Sequence, residues 1–235
     1  MIYCLAAGEL LATPLNVLCS VSLSSVVYQK AGNFAAPRFH PYLCRCRTGM
    51  VIDMKHLGTI QLETDRLVLR RFTVEDAESV FNNWASDEEV TKYLTWPAHK
   101  SIDVSRGFMD YCVAGYVNSA FYQWGIELKD TKELIGSISV VKVTDEIDSL
   151  ELGWAIGRKY WGNGYTAEAA LKIIEFLFDQ VGANCICAGH DVHNPNSGRV
   201  MQKAGMKFEG ILRQSGRNNQ GIVDMAHYSI IKAER

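Results

Sequence analysis

Two glycines one residue apart, Gly162 and Gly164, sit in "RKYWGNGYTAEAALKIIEF" (Arg158 to Phe176), after an apolar run and directly before a strongly periodic one. A turn placed there leaves the first backbone N–H groups of the following helix without partners, and the helix dipole adds partial positive charge. Glycines let such a backbone approach an anion with no Cβ in the way. The chemistry this spacing suits is phosphate binding. The donors are the amides of Trp161, Gly162, Asn163, Gly164, Tyr165 and Thr166, with Arg158 and Lys159 able to add charge. A tight strand-to-helix turn, with glycines for geometry alone, is the competing reading.

"GNGYTA" also satisfies G-x-G-x-x-A, and Asp191 stands near the distance of a ribose-binding acid. A dinucleotide fold, however, wants its first glycine at the end of a strand early in a parallel βαβ array. Here five residues, Gly157 to Trp161, separate strand from glycine, an antiparallel meander comes first, and too little chain follows. The dinucleotide reading is set aside. "HDVH" (His190 to His193) offers metal-ligand types, but His190 and Asp191 point to opposite faces of a strand with no third ligand near, so no metal is expected. Ser197 with His193 lacks the nucleophile-elbow sequence of a serine hydrolase. Cys185 and Cys187 share one strand face and read as small core residues.

The elements that must position these residues follow from periodicity. "IQLETDRLVLRRF" (Ile60 to Phe72) alternates as one half-buried strand. Helices are expected after Thr73, around Asp87 to Leu94, and over Ser101 to Tyr116. "FYQWGIEL", "ELIGSISVVKV" and "SLELGWAIG" are strands joined by polar turns, an antiparallel meander. The helix after the glycine turn buries Ala167, Ala170, Leu171, Ile174, Leu177, Phe178 and Val181. "ANCICAG" is a short buried strand, "NPNSGRVMQKAG" a helix ended by Gly205, and "MKFEGILRQ" with "IVDMAHYSII" a final hairpin. The order β-α-α-α-β-β-β-α-β-α-β-β gives one mixed α/β (α+β) domain.

A net charge of −2 over 235 residues gives no basic face for nucleic acid, and no apolar run reaches the length of a membrane span. Seven cysteines, with neither disulfide-framework nor zinc spacing, fit a reducing, cytoplasmic setting. Residues 1–53 lack a clean period and read as a poorly structured extension, with Met54 as a natural start for a domain over 54–235. A secretory signal fits less well, because the basic n-region is absent and Glu9 interrupts the apolar stretch.

"LELGWAIGRKYWGNGYTAEA" followed by "HNPNSGRVMQKAGMKFEG" resembles the GNAT acetyltransferase superfamily, close to the RimJ/RimL type that acetylates ribosomal-protein N-termini. The resemblance runs from about Leu62 to the C-terminus. It implies a largely antiparallel central sheet flanked by helices, and acetyl-CoA as acetyl donor to an amine. The acyl-CoA motif [Q/R]-x-x-G-x-[G/A] falls on Lys159, Gly162 and Gly164, with Lys159 departing from the usual Gln or Arg. By this resemblance the pyrophosphate rests on the turn Gly162 to Thr166 and the pantetheine lies along Glu151 to Ile156 as an added strand would. That strand then parts from the one at Ala183 to Gly189. A backbone N–H near Trp154 or Ala155 polarises the thioester carbonyl.

Glu151 is the candidate general base, with an exposed outer-face acid as its equal alternative and His190 and Asp191 as weaker ones. The position that often carries a tyrosine acid holds Met201. The N-x-x-S pattern of the RimJ/RimL type places Asn194 on a pantetheine amide and the Ser197 hydroxyl toward the sulfur, against a simple capping role for "NPNS". Trp84, Tyr93, Trp96 and His99 fall where the family covers its acceptor, though core packing is the default for the tryptophans. A protein N-terminus, a small amine, an amino acid and an aminoglycoside all stay open as acceptors. The alternative from another class is a non-catalytic acyl-CoA sensor.

Overall fold

The computed structural model describes residues 54–235; the expected extension at 1–53 lies outside the described residues. The first strand of the sequence reading is two: β1 (Leu62–Glu63) folds back on β2 (Leu67–Arg70), pairing Leu62 with Leu69. The break is built by Thr64. Its hydroxyl accepts from the Leu67 N–H and its own N–H donates to the Leu67 carbonyl, both at 3.0 Å. Alternation alone continues through such a turn, which is why periodicity missed it.

Three helical stretches follow: α1 (Ala77–Val80), running on through a π turn at Phe81–Ala85, then α2 (Glu88–Thr91) and α3 (Ile102–Gly115). The meander is β3 (Gln123–Leu128), β4 (Leu134–Thr144) and β5 (Ser149–Ile156). Then come α4 (Tyr165–Phe176), β6 (Cys185–Asp191), α5 (Pro195–Lys203), β7 (Lys207–Asn218) and β8 (Gly221–Ile231). The hairpin outruns its expected end at Gln214, because β7 absorbs extra residues in two register shifts before reaching Asn218.

The strands form one sheet in the order β1-β2-β3-β4-β5-β6-β8-β7. Its pairs are antiparallel except β5–β6. Helices cover both faces. Alternate strand residues such as Trp124, Ile138, Leu150 and Ile186 pack with α4 and α5 residues Ala170, Ile173 and Met201 in one core. Phe72, Leu134 and Ala155 pack with α1 and α3 residues Val80, Met109 and Cys112 in the other. Leu171, expected in the core, is 48% exposed. The sheet instead takes a face of α4 running through Ala169, Ala170, Ile173 and Ile174, which leaves Leu171 on its rim.

Candidate active site

The feature that organises the site is a split in the sheet. β5 and β6 pair for only three residues, Ser149 with Cys185, Leu150 with Ile186 and Glu151 with Cys187. Beyond Glu151, β5 keeps its partner β4 out to Ile156, and β6 keeps β8 out to Asp191, so the two strands diverge. A register shift in β4 between Val140 and Lys142 lies opposite the apex, where a bulge adds twist. Along Leu152 to Ala155, alternate backbone N–H and C=O groups turn away from β4 into the split, as in any antiparallel edge. The Ile156 carbonyl is already taken, by Trp161 Nε1 at 2.9 Å.

Two cavities meet there. One, of about 680 Å³, is bordered by Trp154, Ala155 and Ile156 of β5, the turn and first residues of α4 (Trp161, Gly162, Gly164, Tyr165, Thr166), and Asn194 and Ser197 at the start of α5. The other, of about 590 Å³, lies on the α1–α3 side and is bordered by Glu151, Gly153, Tyr93, Trp96, His99 and Phe108. They share Trp154, Ala155, Asn194 and Ser197 at the split, and Tyr93 and Leu94 of the segment above it.

Gly162 and Gly164 have φ of +81° and +82°, the left-handed region where L side chains are strained. A Cβ on Gly162 would meet nothing within 4 Å, so conformation, not crowding, calls for glycine. Gly164 is the residue ahead of α4, whose first turn therefore opens onto the larger cavity. Sequence reasoning missed what braces this turn. Arg66 donates to both Glu168 oxygens, through its backbone N–H at 3.1 Å and Nε at 2.8 Å. It also donates to the Asn163 carbonyl at 3.2 Å, and its guanidinium lies 4.5 Å over the Tyr165 ring. Asn163 is part of the brace, its amide donating to the Tyr160 and Trp161 carbonyls. Lys159 and Arg158 are turned elsewhere, onto Glu133 at 3.3 Å and Asp87 at 3.0 Å. The cations bordering the cavity are Lys92, Arg199 and Lys203. The four-residue spacing of the last two, on one face of α5, was the available signal.

Asn194 precedes α5 but makes no side-chain cap bond; its amide donates to Ser197 Oγ at 3.1 Å. That bond brings the N-x-x-S pair together at the split. Met201 is 1% exposed and packs in the core. Glu151 is half-buried, and strand parity sets it on the same face as Gly153 and Ala155, toward the smaller cavity. Its register partner Cys187 has a thiol pushed up to about 11, first by burial and then by the Glu151 charge.

β6 ends in a polar knot. Asp191 Oδ1 accepts from the His193 N–H at 2.9 Å and lies 3.0 Å from its Nδ1, while Oδ2 accepts from Asn218 Nδ2 at 2.8 Å. Burial works to raise the Asp191 pKa, but these bonds outweigh it and hold the carboxyl below its usual range. Asn219, next along the β7–β8 turn, was also missed. Its side chain donates to the Thr91 and Trp96 carbonyls, each at 2.8 Å, and its N–H to the Leu94 carbonyl at 3.1 Å. The hairpin tip thus ties down the segment that covers the smaller cavity. Among the described residues no cluster of three His, Cys, Asp or Glu could hold a metal, and no helix is long and apolar enough to cross a membrane.

Comparison with known proteins agrees with this architecture. The chain is 36% identical over 171 residues to the uncharacterized N-acetyltransferase YoaA of Bacillus subtilis, covering 73% of this chain and 96% of that one. It is 29% identical to the [ribosomal protein uS5]-alanine N-acetyltransferase of Escherichia coli, covering 64% and 80%. The crystal structure of a GNAT-family acetyltransferase from Bacillus anthracis superposes with a TM-score of 0.66 at 27% identity, over 74% of this chain and all of that one. The family model described as the acetyltransferase (GNAT) domain matches residues 66–207, more than half of the chain. The chain therefore belongs to the GNAT acetyltransferase family, and is an N-acetyltransferase related to the ribosomal-protein alanine N-acetyltransferases.

Proposed function

We propose that this N-acetyltransferase moves the acetyl group of acetyl-CoA directly to a primary amine, of a protein N-terminus or a small molecule, within a ternary complex. The observation that carries the reading is the pair of cavities meeting at the β5–β6 split, with Glu151 at the apex on one side and the glycine turn on the other. The pyrophosphate lies on the amides opening α4, among Lys92, Arg199 and Lys203. The pantetheine pairs with the edge Leu152 to Ala155, and Asn194 holds one of its amides. The catalytic unit is residues 54–235.

An amine can attack only as the free base. An α-amino group with pKa about 7.7–8.0 is already partly deprotonated near neutrality, so the base has a modest task. Glu151 takes the ammonium proton from the smaller cavity, and the free amine nitrogen bonds to the acetyl carbon to give a tetrahedral oxyanion. As the C–S bond breaks, the second proton lost from nitrogen passes to the departing thiolate. A β5 backbone N–H near Trp154 or Ala155 stabilises the oxyanion. The Ser197 hydroxyl donates to the departing thiolate. Direct transfer is favoured because the nucleophile nearest the apex, Cys187, stays a protonated thiol near neutral pH. The test is Glu151→Gln. It lowers kcat by about 10²-fold with acetyl-CoA affinity little changed, and flattens the acid limb of the pH–rate profile. Unchanged kinetics from pH 6 to 9 would remove Glu151 from the role.

A further inference from the structure

The cations around the two cavities are segregated, although Glu89 also borders the larger one. Lys92, Arg199 and Lys203 all border the larger one. The smaller has no lysine or arginine in its lining, while Glu151 and Asp191 both border it. His99, one of its two histidines, supplies no cation either. His99 Nδ1 is 2.8 Å from Ser105 Oγ, and burial lowers its pKa, so the ring is neutral near pH 7. His190 Nδ1 lies 2.7 Å from the Asp191 carbonyl oxygen, which can only accept, so in the neutral ring this nitrogen carries the hydrogen. Its Nε2 is then a buried lone pair with no donor against it.

The rest of the lining is neutral. Trp96, Phe108 and Tyr93 provide aromatic walls. Gln123, Ser137 and Ser139 lie on the floor, where Gln123 pairs with Ser139 and Ser137 with Ala155. None of these three side chains is hydrogen-bonded within the described residues, so they can serve a ligand's amide or hydroxyl. A carboxylate carried beside the reacting amine would enter next to Glu151 and find no cation, the most costly kind of buried charge.

On the proposed acceptor site, we propose that the acceptor is a primary amine on an uncharged, aromatic-sized body, and that amines bearing a carboxylate next to the amino group are rejected. A free arylalkylamine and the first residue of a peptide chain both present this chemistry. Thiol release from acetyl-CoA by the full chain, compared at equal free-amine concentration, tests it with phenylalaninamide, phenethylamine and phenylalanine. The inference expects kcat/KM for phenylalaninamide to exceed that for phenylalanine by about 100-fold or more. Phenethylamine matching the amide points to a free amine, and phenethylamine lagging it points to a peptide terminus; both support the inference. Gln123→Lys, which sets a cation on the floor, narrows the gap between phenylalanine and its amide. Phenylalanine used as well as its amide would overturn the inference and leave the transferase reading intact. No thiol release with any of the three, by a chain that binds acetyl-CoA, would overturn the acceptor site itself.

Discussion

Gly198→Ala places a methyl group where there is no room. Gly198 lies in α5, and a Cβ built there comes within 2.7 Å of His190 Nε2 and 3.3 Å of its Cε1. The imidazole cannot easily retreat: it is buried, bonded through Nδ1 to the Asp191 carbonyl, and stacked on Tyr228 with centroids 5.7 Å apart. Overpacking of this kind costs about 1–3 kcal/mol. Against it stands the helix preference of alanine over glycine, about 1 kcal/mol. The net loss is about 0–2 kcal/mol, and each kcal/mol lowers Tm by about 2–4 °C in a domain of this size. In a His190→Ala background the clash is gone and only the helix preference remains, so the same substitution stabilises by about 1 kcal/mol. Denaturant unfolding of the four proteins therefore gives a coupling of about 1–3 kcal/mol. In the single variant, α5 must also shift, carrying Asn194 and Ser197 with it, so KM for acetyl-CoA rises. Equal effects of Gly198→Ala in both backgrounds, within about 0.5 kcal/mol, would refute the packing argument.

Arg66→Ala removes the brace on the glycine turn and raises KM for acetyl-CoA several-fold with kcat less affected, read from initial rates. An unchanged KM would mean the turn holds without it. Asn219→Ala frees the Thr91–Trp96 segment, which sets Lys92 on the larger cavity and Trp96 on the smaller, and raises KM for both acetyl-CoA and the amine; an unchanged KM for both would show that the hairpin tip does not hold this segment in place. Asp191 has a carboxyl held below its unfolded value near 3.8. A depressed acid stabilises the fold above that value and loses the contribution as pH falls through its folded pKa. Asp191→Asn is thus less stable than wild type at pH 7, and urea titrations show the difference shrinking below about pH 4. A difference constant from pH 7 to 3 would show that the carboxylate charge is not what matters.

The sheet was legible because its alternation is local. β3, β4 and β5 each announce themselves within six to eleven residues. The glycine turn was legible for a related reason, since two residues at φ near +80° ahead of a helix admit few side chains. The side on which Glu151 lies was not. Parity fixes which residues share a face, and only the helices packed across the sheet decide which face is which. Arg66 and Asn219 were invisible because their partners are far along the chain, Glu168 in one case and Thr91 to Trp96 in the other. Lys159 looked like a phosphate ligand from its place in the motif, yet its ammonium group pairs with Glu133, a tertiary neighbour no local pattern names.

The central claim is that acetyl-CoA binds in the larger cavity at the β5–β6 split. Calorimetric titration of the full chain with acetyl-CoA, with NAD in parallel, tests it most directly. Saturable one-site binding of acetyl-CoA, weakened in Gly164→Ala and without heat from NAD, is the predicted result. Binding of NAD in place of acetyl-CoA, or acetyl-CoA binding indifferent to Gly164→Ala, would contradict it.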